Sequence, residues 1–164
     1  MIEPGSPQAA AAELVKALHR HEALVAWRLI TRDYRQALAS RAMDHLEREG
    51  HLAESDDVLA IIEAIATDTP DEAHLPLVET LTLYLLDLLP SAGEPWGWAA
   101  NPRPIEPDLE LALLVRVDDA AARPSDVPAT IVNGYGFSMR RCEGRWLLAG
   151  LDMLEGERGF APAS

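Results

Sequence analysis

Two hydrophobic periods share this chain, and the change from one to the other limits the folds open to it. Up to Leu89 the apolar residues recur every third or fourth position, and from Leu109 onward they alternate with polar ones. The first spacing belongs to helices buried along one face, the second to strands. A helical first half followed by a strand-rich second half predicts the α+β class. With 164 residues the chain suits one domain with its own core. We divide it into a helical part over about 7–89, a connector rich in proline and tryptophan at 90–107, a sheet part over about 109–154 and a tail at 155–164.

The helical part resolves into five segments. Ser6 before Pro7 predicts an N-cap with proline at the first helical position, opening a helix to about Arg20. A short helix over Glu22–Ile30 follows. Thr31 then caps a third over Arg32–Glu49, which Gly50 closes. Ser55, Asp56 and Asp57 supply a hydroxyl and two carboxylates to the start of a fourth, with Val58, Ile61, Ile62 and Ile65 as its buried face. The fifth, over about Pro76–Leu89, is leucine-rich around most of its circumference, with a narrow polar stripe of Glu79, Thr80 and Asp87. Such a helix needs cover on more than one side.

Between Pro90 and Pro107 there are five prolines together with Trp96 and Trp98, which predicts an extended connector with at most a short strand. Three clear strands are predicted after it, over Leu109–Val117, about Ala129–Arg141, and Arg145–Met153. Glu143-Gly144 reads as a two-residue hairpin turn. In an unbroken ladder that turn sets Arg141 opposite Trp146, Met139 opposite Leu148, Phe137 opposite Gly150 and Tyr135 opposite Asp152. One face then carries Asn133, Tyr135, Phe137, Met139, Trp146, Leu148 and Asp152. The other carries Leu147, Leu151 and Met153 beside Gly134 and Gly136, two glycines that signal a strong bend or a bulge. A bulge would shift every pair beyond it. Both faces are apolar enough to need cover. Helices can take the aromatic one, and a back-to-back homodimer through Leu147, Leu151 and Met153 the other.

Two stretches carry a family resemblance, Ala26-Trp27-Arg28-Leu29-Ile30-Thr31-Arg32-Asp33-Tyr34-Arg35 and Phe137-Ser138-Met139-Arg140-Arg141-Cys142-Glu143-Gly144-Arg145-Trp146. The first resembles the passage from second to third helix in the nuclear transport factor 2-like superfamily, which includes the SnoaL-like polyketide cyclases; the second resembles its closing hairpin. Trp96-Gly97 through Pro102-Arg103-Pro104 to Leu109-Glu110-Leu111 also looks like a group of actinobacterial members. The resemblance implies a cone, with helices packed on a strongly curved antiparallel sheet and a pocket at its wide end. Here the leucine-rich helix is extra. We expect Trp27, Tyr34, Asn133, Phe137, Met139, Trp146 and Leu148 to line such a pocket. The superfamily hosts isomerases, dehydratases, cyclases and many binders, so fold alone does not select a reaction.

Composition narrows the partners. Acidic residues outnumber basic ones 27 to 14, for a formal net charge of −13. That surface repels phosphate backbones and anionic lipid, so neither nucleic acid nor a membrane is expected. The leucine-rich segment is too short to span a bilayer. A single cysteine, Cys142, and the lack of a signal-like start predict a cytoplasmic protein.

For chemistry, the pair to watch is Asp152 and Tyr135. A carboxylate among Phe137, Trp146 and Leu148 would have its pKa raised by desolvation, fitting it to act as general acid or base beside a phenol. Solvation of Asp152 at a strand end, or a purely structural bond to Tyr135, is the plain alternative. Arg28, Arg32 and Arg35 offer an acidic-ligand site or ordinary salt bridges. The five histidines do not reach metal-ligand spacing, since Val25 stands where a second helical ligand after His21-Glu22 belongs, and no glycine loop cradles phosphate. No cofactor is expected. The leading reading is a small-molecule-binding protein with an apolar cone pocket. A homodimeric protein-interaction module and a proton-transfer enzyme on a hydrophobic substrate are the alternatives.

Overall fold

The computed structural model describes residues 2–52, 57–91, 96–99, 101–116 and 134–154. Among these it holds five α-helices, then five strands in one antiparallel sheet, an α+β chain. The chain forms two compact units, Leu14–Asp87 and Met1–Glu13 with Leu88–Ser164.

In the helices, local signals act as the sequence predicts. α1 (Pro7–His19) starts where Ser6 Oγ accepts the Ala9 N–H at 3.1 Å. It ends as His21 takes a φ of 56° and the Glu22 N–H donates back to the Ala17 carbonyl at 3.0 Å. A left-handed residue there is the common helix stop, a place usually given to glycine. α2 (Ala23–Arg28) is shorter than predicted. Thr31 caps α3 (Arg32–Arg48), its hydroxyl accepting from the Tyr34 N–H at 3.3 Å, and Gly50 closes it with a φ of 73°. α4 (Val58–Ile65) is capped by Asp57, whose carboxylate accepts the Ala60 N–H at 3.2 Å; Ser55 and Asp56 lie outside the described residues. Only Ile65 of its expected buried face is fully enclosed.

A single turn of 3-10 helix, Glu72–His74, leads into α5 (Leu75–Leu88). Val78, Leu81, Thr82 and Leu85 are its buried stripe. Leu83 and Tyr84 remain 46% and 50% exposed. The cover that a nearly all-apolar helix calls for is thus incomplete on one flank.

The sheet adds two short strands to the three clear ones, where the connector was expected to hold at most one. β1 (Trp96–Trp98) and β2 (Arg103–Glu106) emerge from the proline-rich connector, and both pair with β3 (Leu109–Arg116). Proline lacks the N–H that a central strand must donate, but on a strand at the margin it is tolerated, which is where Pro104 sits. β4 (Gly134–Cys142) and β5 (Arg145–Leu154) complete the order β1-β3-β4-β5. The expected start of β4 near Ala129, and Asn133 with it, lie outside the described residues. At Gly134 a Cβ would run into the Leu114 carbonyl, so this glycine is required by the close approach of β3.

The β4–β5 hairpin turns as predicted, with φ of 50° at Glu143 and 80° at Gly144, the pair of positive angles that a tight hairpin needs. Arg141 opposes Trp146 and Met139 opposes Leu148. Then Ala149 bulges out of β5, and the register moves by one residue. Ser138 opposes Gly150, Phe137 opposes Leu151, Gly136 opposes Asp152 and Tyr135 opposes Met153. The expected pairs Phe137–Gly150 and Tyr135–Asp152 do not form. A one-residue slip exchanges faces, so Leu151 and Met153 join the aromatic face and Asp152 leaves it. Leu147 remains on the other face, opposite Arg140, so the expected interface of Leu147, Leu151 and Met153 is split between the two sides.

Candidate functional site

The aromatic face of the sheet is assembled by register. Trp98 opposes Leu114, and Leu114 opposes Tyr135, so the β1 indoles share a face with Tyr135, Phe137 and Met139. Trp96 stands edge-on to Tyr135 at 5.4 Å between ring centres, and Trp98 edge-on to Phe137 at 5.0 Å. Edge-to-face rings at such distances attract beyond their simple burial. Phe137, Met139 and Leu148 are no more than 1% exposed, and Trp146 is half-buried. The indoles of the chain itself therefore pack against Tyr135 and Phe137.

The two residues expected to act together are apart. Tyr135 is half-buried on the aromatic face; Asp152 is exposed on the opposite one, across from Gly136. An exposed carboxylate lacks the desolvation that would suit it to proton transfer. The bulge separates the pair, and it left only an ambiguous trace in the sequence, because the glycine signal points to β4 while the extra residue is in β5.

Trp27 and Tyr34 belong to the helical unit. Trp27 is wholly buried, and its Nε1–H donates to the Ile65 carbonyl at 2.9 Å. That bond ties α2 to the end of α4. Close by, Arg28 Nε donates to the Asp68 carbonyl at 3.0 Å, and Arg35 Nη1 to the Trp27 carbonyl at 3.3 Å. Arg35 is itself buried. Its burial lowers the guanidinium pKa below the ordinary arginine value; Asp68 opposes the shift and Arg32 adds to it. Arg28 and Arg35 are thus each engaged by a backbone carbonyl of the helical unit. Tyr34 is half-buried in the first turn of α3.

A shallow pocket of about 130 Å³ lies in the helical unit, lined by Leu18, His21, Glu22, Ala23, Glu79, Thr82 and Leu83. The expected lining residues are not among these. Its floor is the buried Leu18 and Thr82, and its mouth carries the exposed Glu22, Glu79 and His21. The sequence signal for it was the surplus of leucine on α5, which gives Leu83 no obvious place in the core. Because that side chain is nearly half exposed, Leu83→Glu is expected to change the unfolding free energy by no more than about 0.5 kcal/mol in urea titrations.

Among the described residues, no helix is long and apolar enough to cross a membrane. Comparison with protein-family models, with curated proteins and with solved structures finds no match.

Proposed function

We propose that this chain is a homodimeric protein-interaction module without catalysis, working in the cytoplasm, and that it belongs to the nuclear transport factor 2-like superfamily as a member whose pocket is filled. The observation that carries this reading is the seating of Trp96 and Trp98 against Tyr135 and Phe137. Those rings occupy the face on which a ligand of the apolar-pocket kind would lie. The family placement is supported by the succession of helices and antiparallel strands and by the tight turn at Glu143-Gly144 before Arg145-Trp146.

Two further observations favour binding a protein over turning over a metabolite. Asp152 and Tyr135 are on opposite faces, which removes the acid–phenol pair. The pocket lined by Leu18, Thr82 and Leu83, at about 130 Å³, is itself well below the ~300–1,000 Å³ of sites that enclose a small molecule. It has room for about one side chain. Exposed Leu83 and Tyr84 border that flank of α5 with apolar surface for a partner to cover.

The reading is tested by thermal melts against a panel of apolar aromatic acids, steroids and polyketide-like rings. The expected result is no rise that saturates with concentration. A saturating rise of several degrees restores the small-molecule reading, since a ligand at about 100 times its Kd adds close to 2.7 kcal/mol. Light scattering on the same sample is expected to give twice the chain mass.

A further inference from the structure

We propose that a second copy of this chain pairs with β5 edge to edge and antiparallel, and that Arg145 and Asp152 set the register. The inference rests on the homodimer reading above and supplies its geometry.

β5 ends the order β1-β3-β4-β5, so one of its edges is turned away from β4. Among the described residues, no backbone hydrogen bond joins β5 to any element other than β4. A strand of 10 residues, Arg-Trp-Leu-Leu-Ala-Gly-Leu-Asp-Met-Leu, is long for an edge with no strand partner among the described residues, and apolar edges of that kind are templates for pairing. Stacking the sheets back to back has less to offer. Leu111, Leu113 and Val115, which line the face of Gly134 and Gly136, are already 8%, 4% and 4% exposed, with Ala99 packed on them.

The charges choose among the ways of pairing. Arg145 and Asp152 are the two ionised residues of the strand, and both are exposed. Residues this far apart, an odd separation, point to opposite faces of a regular strand. The bulge at Ala149 adds one residue and cancels that parity. Arg145 opposes Cys142 and Asp152 opposes Gly136, two β4 residues on one face. Turning a second strand about a two-fold axis at the bulge then sets Arg145 of each copy against Asp152 of the other, on the same side of the joined sheet. Trp146 meets Leu151 in the same register, and Leu147 meets Gly150. Parallel in-register pairing would instead stack arginine on arginine and aspartate on aspartate, which is unfavourable. Backbone hydrogen bonds supply the affinity in such a joint, and the charges select the alignment.

The test is sedimentation equilibrium of the full chain, of Arg145→Asp, of Asp152→Arg and of the double exchange, with circular dichroism melts to verify folding. The natural chain is expected to be a dimer. Each single exchange should weaken it about tenfold or more, because two attractive pairs become repulsive ones, and the double exchange should restore it to within about threefold. If either reversal fails to fold, Arg145→Gln and Asp152→Asn carry the test, each weakening the dimer about threefold. A dimer indifferent to the single exchanges, or not rescued by the double one, overturns the edge pairing and leaves the homodimer reading in place. A monomer at 100-micromolar order, about the upper range of useful self-association, overturns both.

Discussion

Replacing Trp27 with alanine is expected to remove most of the stability of the helical unit. The side chain is 0% exposed, and truncating a buried tryptophan costs about 3–5 kcal/mol in lost burial and residual cavity. The indole N–H also satisfies the Ile65 carbonyl at the end of α4, which adds about 1 kcal/mol. Small domains have only about 5–15 kcal/mol in total. Trp27→Ala should therefore melt broadly at moderate urea when followed by far-ultraviolet circular dichroism. Trp27→Phe keeps much of the burial but leaves the Ile65 carbonyl without its donor, so it should fall between the two, at about 1–3 kcal/mol. A loss below 1 kcal/mol for the alanine variant would contradict the enclosed position of the ring. The carbonyl of Trp27 is part of the same joint, since Arg35 donates to it from α3. One residue thus holds α2 to both α3 and α4, and a cavity there loosens three helices together.

The signals that were legible in the sequence are those that act within a few residues. Ser6 and Thr31 cap because a hydroxyl can reach an amide N–H three positions on. Gly50 and Glu143-Gly144 close their elements because positive φ is needed at those points. Trp27 reads from the sequence as a pocket-lining residue, but whether it lines a pocket or anchors a core depends on the Ile65 carbonyl, 38 positions away in the chain. That the connector holds two strands, β1 and β2, rather than at most one is hard to read for a different reason. Pro104 within β2 and the prolines flanking both strands argue for loop, and only the neighbouring β3 makes short extended segments worth pairing. The α5 groove is not legible in the sequence because a run of leucines states a need for cover without stating which leucine goes without it.

The hairpin supplies the second large effect, and it turns on a single unpaired residue. Leu151→Asp is expected to cost about 2–4 kcal/mol, whereas Asp152→Leu should stay within about 0.5 kcal/mol, both measured by urea denaturation at one low protein concentration. The reason is the bulge. With Ala149 out of the ladder, position 151 is opposite Phe137, which is fully buried beneath Trp98, and position 152 is exposed opposite Gly136. Leu151 is half-buried there, so a carboxylate at position 151 enters the aromatic face opposite the buried Phe137 and loses part of its hydration. Were the ladder regular, position 152 would lie opposite Tyr135 and position 151 opposite Gly136, and the two costs would be reversed. The reverse ranking would put Asp152 back beside Tyr135 and with it the case for proton-transfer chemistry. The expected ranking has a physical origin in what each register buries. A regular hairpin would turn Asp152 to the aromatic face opposite Tyr135 and put Leu151 at the exposed position opposite Gly136, two unfavourable placements at once. Letting Ala149 bulge costs a local break in the ladder and avoids both. The same extra residue brings Arg145 and Asp152 to one face, so the feature that dismantles the expected acid–phenol pair also gives the outer edge of β5 its matched charges.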